Sequence, residues 1–207
     1  MTKIKICGIT NTEDALLAVR LGSSALGFNF YSQSPRYISK EDALVIIRKL
    51  PSDVCKIGVF VNEEAQNVNE ISRKLGLDAV QLHGDESPEY CRQISIKIIK
   101  AIRVKDESDL DKLGQYPVWA FILDSYSLGF GGSGQVFDWH LAAKKLGDLE
   151  QETRIILSGG LTTENVSEAI AIFKPYAVDV CSGVESVAGV KDHKKLKAFI
   201  DAVTISH

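Results

Sequence analysis

Short runs rich in β-branched and other apolar residues recur eight times along the chain: Lys3–Cys7, Ala25–Phe30, Lys56–Val61, Ala79–His83, Ile98–Val104, Trp119–Asp124, Arg154–Ser158 and Ala177–Cys181. Each is followed by a helical pattern. Strict alternation of strand and helix argues for parallel strands, because a parallel neighbour can only be reached by a crossover, usually a helix. Local start and stop signals agree with this reading. Thr10-x-x-Glu13 and Ser39-x-x-Asp42 have the form of capping boxes, and Ser87-Pro88 places proline at a first helical position. The first helix carries Ala15, Leu16 and Val19 on one face and stops near Gly22.

Eight such units in 207 residues, with no break in composition, assign residues 1–207 to one domain. The expected fold is α/β, a single-domain (β/α)8 barrel of the TIM type at the compact end of its size range. An open doubly wound sheet is the rival, but eight full units with no switch-point signature count against it.

Period-two parity then decides which side chains face the axis. In the first strand Ile4 and Ile6 point one way, and Lys3, Lys5 and Cys7 the other. The apolar side must meet the helices, so Cys7 faces the barrel axis at its C-terminal mouth. The fourth strand repeats the pattern, with Val80 and Leu82 toward the helices and Gln81 and His83 toward the axis. Active sites of such barrels sit at that mouth, on strand ends and the loops after them.

Several strand ends there carry chemistry. Cys7 ends a strand beside Gly8, where packing does not require sulfur, although most free cysteines are simply small buried hydrophobes. As a base it must lose its proton, so its pKa is expected below the usual thiol value of roughly 8.5. Asp124 follows the apolar run Trp119-Ala120-Phe121-Ile122-Leu123. A carboxylate against an apolar wall tends to hold its proton and can serve as a general acid, where the plainer alternative is a helix cap or a loop anchor.

Ser158-Gly159-Gly160 and Ser182-Gly183 close the seventh and eighth runs. Glycine turns need no function, but the seventh and eighth loops are where barrels bind phosphate through backbone amides. Arg36, in Ser34-Pro35-Arg36-Tyr37, sits among Phe28, Phe30, Tyr31 and Tyr37, which suits a guanidinium placed for a carboxylate beside an aromatic ring. His83 fits either a satisfied strand-end histidine or a substrate contact.

Other classes are disfavoured. Gly129-Phe130-Gly131-Gly132-Ser133-Gly134 matches G-x-G-x-x-G in form, but it begins past Asp124 in a late unit rather than joining a first strand to its helix. It reads instead as a mobile loop that could close over a ligand, and no cofactor is expected. A net charge of −3 without a basic run argues against nucleic acid, and the apolar run near Val118–Leu123 is too short to span a bilayer. Cys7, Cys55, Cys91 and Cys181 form no Cys-x-x-Cys pair, and no cluster has metal-ligand spacing. Without a signal peptide, these thiols point to a reducing cytoplasm, where the Asn165-Val166-Ser167 sequon is void. The partner expected is a small phosphorylated substrate, bound by a monomer or a homodimer.

Taken together the chain resembles the phosphoribosylanthranilate isomerase family. The resemblance is carried by Lys5-Ile6-Cys7-Gly8-Ile9-Thr10, Gly27-Phe28-Asn29-Phe30-Tyr31 through Ser34-Pro35-Arg36-Tyr37, Gly58-Val59-Phe60-Val61-Asn62 and Val80-Gln81-Leu82-His83-Gly84-Asp85-Glu86. It continues through Leu123-Asp124, Gly131-Gly132-Ser133-Gly134, Leu157-Ser158-Gly159-Gly160-Leu161, Val178-Asp179-Val180 and Ser182-Gly183-Val184-Glu185, so every strand but the fifth takes part. It implies Cys7 as general base, Asp124 as general acid and Arg36 as holder of the anthranilate carboxylate. The backbone around Gly159, Gly160, Ser182 and Gly183 would hold the phosphate, with His83 and Asp179 as further substrate contacts. Two departures are visible: Cys181 stands where a small residue, often serine, is expected, and Ser32-Gln33 replaces what is often Pro-Lys. A histidine-pathway sugar-phosphate isomerase would favour aspartates on the first and fifth strands, which here end in Cys7 and Arg103-Val104. A non-catalytic phosphate-binding barrel would have no use for both an acid and a base.

Overall fold

A computed structural model describes residues 1–125, 138–146 and 153–206. Eight parallel strands close into a barrel in chain order: β1 (Lys3–Ile6), β2 (Ala25–Asn29), β3 (Cys55–Phe60), β4 (Ala79–Leu82), β5 (Lys97–Val104), β6 (Ala120–Ser125), β7 (Ile155–Leu157) and β8 (Ala177–Val180). Closure is made by β8 against β1, with Lys5 opposite Asp179 and Ile6 opposite Val180. All eight expected strands are present within a residue or two of their ends. The Gly129–Gly134 loop lies outside the described residues.

The parity argument holds in three dimensions. Ile4, Ile6, Val80 and Leu82 belong to the layer between strands and helices, which they share with Ala15 and Ala18 of α1 (Thr12–Leu21). The opposite faces of the strands fill the barrel, where Ile57, Ala79, Ile99, Ala101, Ala120, Ile122, Ile156 and Ala177 form a compact plug. Above that plug the interior turns polar, with Lys5, Gln81 and Asp179 all nearly inaccessible.

The helices follow their signals with instructive exceptions. Ser39 caps α2 (Lys40–Ile47) by accepting from the Asp42 N–H, and Ser87 caps the single turn α3 (Pro88–Cys91) with Pro88 at its start. Thr10 does not cap α1. Asn11 takes that role by accepting from the Asp14 N–H, because the Thr10 hydroxyl donates instead to the Gly189 carbonyl. Gly22 ends α1 in the left-handed region as expected, but the buried face runs through Asp14, Ala15 and Ala18, and Leu16 is only partly covered. After β5 the connection is a 3₁₀ segment, Glu107–Gln115, with a capping box at Asp106, not an α-helix. Its run Glu107-Ser108-Asp109-Leu110-Asp111 is rich in residues whose side chains compete for backbone N–H groups, and Gly114 weakens its end. After β8 a 3₁₀ turn, Ser182–Val184, leads into a hairpin of β9 (Glu185–Val187) and β10 (Val190–Lys191) before the last helix, His193–Ile205.

One buried ion pair braces the loops around the mouth. Lys100 lies 2.9 Å from Glu86, both side chains 3% exposed or less, and it also donates to the carbonyls of Leu82 and Gly84. The Glu86 carboxylate accepts from the amides of Asn62 and Gly84, so the ends of β3 and β4 are tied to one charge. Lys100→Met leaves that carboxylate buried without its counter-ion, and a loss of roughly 3–5 kcal/mol is expected in urea unfolding. A loss within the roughly 0.5 kcal/mol of an ordinary surface change would contradict this role. Among the described residues no helix is long and apolar enough to cross a membrane, and no group of histidine, cysteine and carboxylate side chains is placed to hold a metal ion.

Candidate active site

The C-terminal mouth of the barrel opens into a cleft of about 800 Å³, counting the solvent at its rim. All nine residues singled out in the sequence line it: Cys7, Arg36, His83, Asp124, Gly159, Gly160, Asp179, Ser182 and Gly183. Six strands and the loops after them supply these groups, so their meeting is a product of barrel closure.

Cys7 follows β1, with its N–H donating to the Val180 carbonyl at 2.9 Å and its carbonyl accepting from Lys191 Nζ at 2.6 Å. The backbone is thereby pinned on both sides. Gly8 follows at φ +72°, and a Cβ there would lie 2.8 Å from both Arg36 Cδ and Cys181 Sγ. Only a residue without a side chain lets the chain turn away while those two groups crowd in beside Cys7. The Cys7 thiol is drawn well below its ordinary value: the neighbouring Cys181 thiol and the ammonium groups of Lys5 and Lys191 favour the thiolate, together outweighing burial. Cys181 is raised well above its ordinary value by the neighbouring Cys7 and by its own burial. A lowered thiol pKa favours the thiolate, the state a base requires.

Asp124, on β6, lies three places from β1 around the ring of strands. It does not stand against an apolar wall alone, since His83 Nε2 is 3.3 Å from its Oδ2. The other ring nitrogen of His83, Nδ1, lies 2.8 Å from the Gln81 amide nitrogen. With the amide nitrogen donating to Nδ1, the neutral ring carries its proton on Nε2, facing Asp124. His83 therefore orients the carboxylate, a role the sequence left open.

The glycine turns line the cleft after β7 and β8. Gly159 and Gly160 adopt φ of +82° and +67°. Ser182 and Gly183 open the 3₁₀ turn, so their N–H groups have no partner within it. The two turns are packed tightly together: a Cβ on Gly183 would run into the Leu161 carbonyl. Backbone amides converging from two loops suit an anion with several oxygens.

Arg36 enters from the loop after β2. Its Nε and Nη2 grip Glu185, with Nη2 to Oε2 at 2.6 Å, and Lys191 Nζ holds the same carboxylate at 2.9 Å. Burial works against the Glu185 charge, yet the two cations hold its carboxyl below the usual range. Asp179 is 5% exposed and committed to Lys5, Nζ to Oδ1 at 2.8 Å. Sequence reasoning gave Glu185, Lys191, Lys5 and Gln81 no role. Parity does point Lys5 and Gln81 at the axis, but nothing local in the sequence marks Glu185 or Lys191.

Comparison with known proteins settles the family. Residues 4–202 match the family model for N-(5'-phosphoribosyl)anthranilate (PRA) isomerase. The chain belongs to that family. It is 50% identical over 201 residues to the N-(5'-phosphoribosyl)anthranilate isomerase of Trichlorobacter lovleyi, covering 97% of each chain. The crystal structure of phosphoribosyl anthranilate isomerase from Thermotoga maritima superposes with a TM-score of 0.92 at 46% identity over 99% of each chain. A further structure of the isomerase, in complex with reduced 1-(o-carboxyphenylamino)-1-deoxyribulose 5-phosphate, superposes at 0.89 with 44% identity, again over 99% of each chain.

Proposed function

We propose that this chain, as one barrel domain, converts N-(5-phosphoribosyl)anthranilate to 1-(2-carboxyphenylamino)-1-deoxyribulose 5-phosphate in tryptophan biosynthesis. Cys7 is the general base and Asp124 the general acid. The observation that carries the reading is the convergence of a lowered-pKa thiol, a carboxyl and two glycine turns on one cleft. The product analogue bound by a relative has the phosphate and carboxylate that the two ends of this cleft suit.

The reaction is an internal redox that needs only proton transfers. Asp124 gives its proton to the furanose ring oxygen, the C1′–O bond breaks, and the anilino nitrogen lone pair forms the C=N bond of a Schiff base. The Cys7 thiolate then takes the C2′ proton, and the C2′–H electrons move to make the enolamine. Tautomerisation returns a proton to C1′ and leaves the C2′ ketone. Each such transfer is worth roughly 10²–10⁴-fold in rate. Phosphate on the amides of Gly160, Ser182 and Gly183, and carboxylate on Arg36, fix the sugar between base and acid. Glu185 holds the plane of the guanidinium and leaves its Nη1 end for the ligand.

Arg36→Ala is accordingly expected to weaken substrate binding rather than chemistry. A charge-assisted hydrogen bond is worth roughly 1.5–3 kcal/mol, so KM should rise by about one to two orders of magnitude with kcat held. Lys191 still neutralises Glu185 in that variant, so the loop keeps its anchor. Steady-state kinetics check this, and a collapse of kcat at unchanged KM would remove Arg36 from the anchoring role.

The activity itself is tested by adding purified protein to freshly made phosphoribosylanthranilate without metal or cofactor. Loss of its fluorescence well above the spontaneous rate is expected. Decay at the spontaneous rate would overturn the reading. The rival with aspartates on the first and fifth strands finds no support at β5, which ends in Arg103 and Val104, with Arg103 paired to Asp85.

A further inference from the structure

We propose that Lys5 is the positioning residue that keeps Cys7 ionised, with its ammonium anchored by Asp179 directly beneath the thiol. The inference deepens the reading of Cys7 as base and rests on it for its catalytic consequence, though not for its effect on the thiol.

Lys5 lies on β1, two residues before Cys7 at the strand's end, so both side chains face the axis. It is 1% exposed, next to an apolar plug that fills the barrel below the mouth. A buried Lys–Asp pair adds little stability over an apolar pair of similar size, because desolvating two charges costs about what their attraction returns. Packing therefore does not explain a charged layer here. The β2 wall does show what the layer serves. A Cβ on Gly27 would lie 2.7 Å from Cys7 Sγ and 3.3 Å from Lys5 Cε, so the missing side chain leaves one shared space for thiol and ammonium. In that space Lys5 donates to Asp179 at 2.8 Å, and its positive charge favours the thiolate of Cys7.

The other charged and titratable groups around Cys7 are accounted for. Lys191, from β10, is bound to the Cys7 carbonyl and to Glu185. Arg36, from the loop after β2, is held by the same Glu185. Cys181, just past β8, lies 3.6 Å from Glu185 Oε1 and brings no charge. Asp124 and His83 pair with each other on the β6 and β4 side. Lys5 is thus the cation that shares the thiol's space beside Gly27, while Asp179 holds it in place. Burial lifts the Asp179 carboxyl to about 6 against the pull of Lys5, so the pair is still ionised at neutral pH.

The test measures alkylation of Cys7 by iodoacetamide as a function of pH, read on the Cys7 peptide by mass spectrometry in the folded full chain. Lys5→Met alone would strand Asp179, so the variant is Lys5→Met/Asp179→Asn, with Lys5→Arg as the charge-keeping companion. In the wild type and Lys5→Arg the half-maximal rate should fall below the ordinary thiol value. In the double variant it should rise by about one pH unit or more, a tenfold loss of thiolate at pH below both midpoints. The acidic limb of kcat should move the same way, since a thiolate with a lowered pKa is lost only when pH falls through that lowered value. A folded double variant with the wild-type alkylation profile would overturn the proposal, as would a Lys5→Arg profile displaced as far as that of the double variant. A displaced alkylation profile with an unmoved kcat limb would leave Lys5 in its role and remove Cys7 as the base.

Discussion

Asp124→Asn should lower kcat by roughly 10²-fold or more, the scale of one lost general acid, while a reduced product analogue still binds near wild-type affinity. Asparagine keeps the shape of the side chain and can still accept the His83 Nε2 proton that now faces Oδ2 at 3.3 Å. It has no proton to give at physiological pH, so ring opening should stall with the substrate seated. The phosphate and carboxylate grips lie on other strands and are untouched. Stopped-flow binding beside steady-state turnover separates the two effects. Loss of analogue binding with turnover per bound substrate intact would make Asp124 an anchor instead of an acid.

Comparable in size is the effect expected of a side chain at Gly183. Its Cβ would enter the Leu161 carbonyl, so either the turn after β8 or the one after β7 must move. Both turns supply amides to the proposed phosphate end, and each hydrogen bond to a charged group is worth roughly 1.5–3 kcal/mol. Losing two of them should weaken competition by inorganic phosphate by about 10²-fold or more for Gly183→Val. The barrel strands do not pass through this contact, so the far-UV circular dichroism should be unchanged. Competition at wild-type strength would take these turns out of the site.

Much of this molecule was legible from spacing alone, for a physical reason. A strand alternates its faces every residue and a closed barrel has one interior, so the placement of Ile4, Ile6, Cys7, Gln81 and His83 follows once the apolar face is known. The turn at Gly159-Gly160 was equally readable, because positive φ is a property of the local chain. What escaped reading depends on closure. Arg36 meets Glu185 across 149 positions, and Lys191 meets Cys7 across 184, with no local pattern announcing either. The hairpin that presents Lys191 has strands of only three and two residues, too short for alternation to register. The same hairpin explains the misplaced cap of α1, since Gly189 draws away the Thr10 hydroxyl. Lys5 shows the boundary well. Parity placed it inside the barrel, but its partner Asp179 comes from the strand that closes the ring.

The assignment of Cys7 as base is the centre of the account, and turnover by Cys7→Ala tests it most directly. The variant removes the sulfur and little else, since the backbone on both sides is held by Val180 and Lys191. Assayed on freshly made phosphoribosylanthranilate beside the wild type, it should lose roughly 10²-fold or more in kcat, with binding of the reduced product analogue preserved. Near-full turnover by Cys7→Ala would contradict the account and return Cys7 to the packing of the barrel mouth.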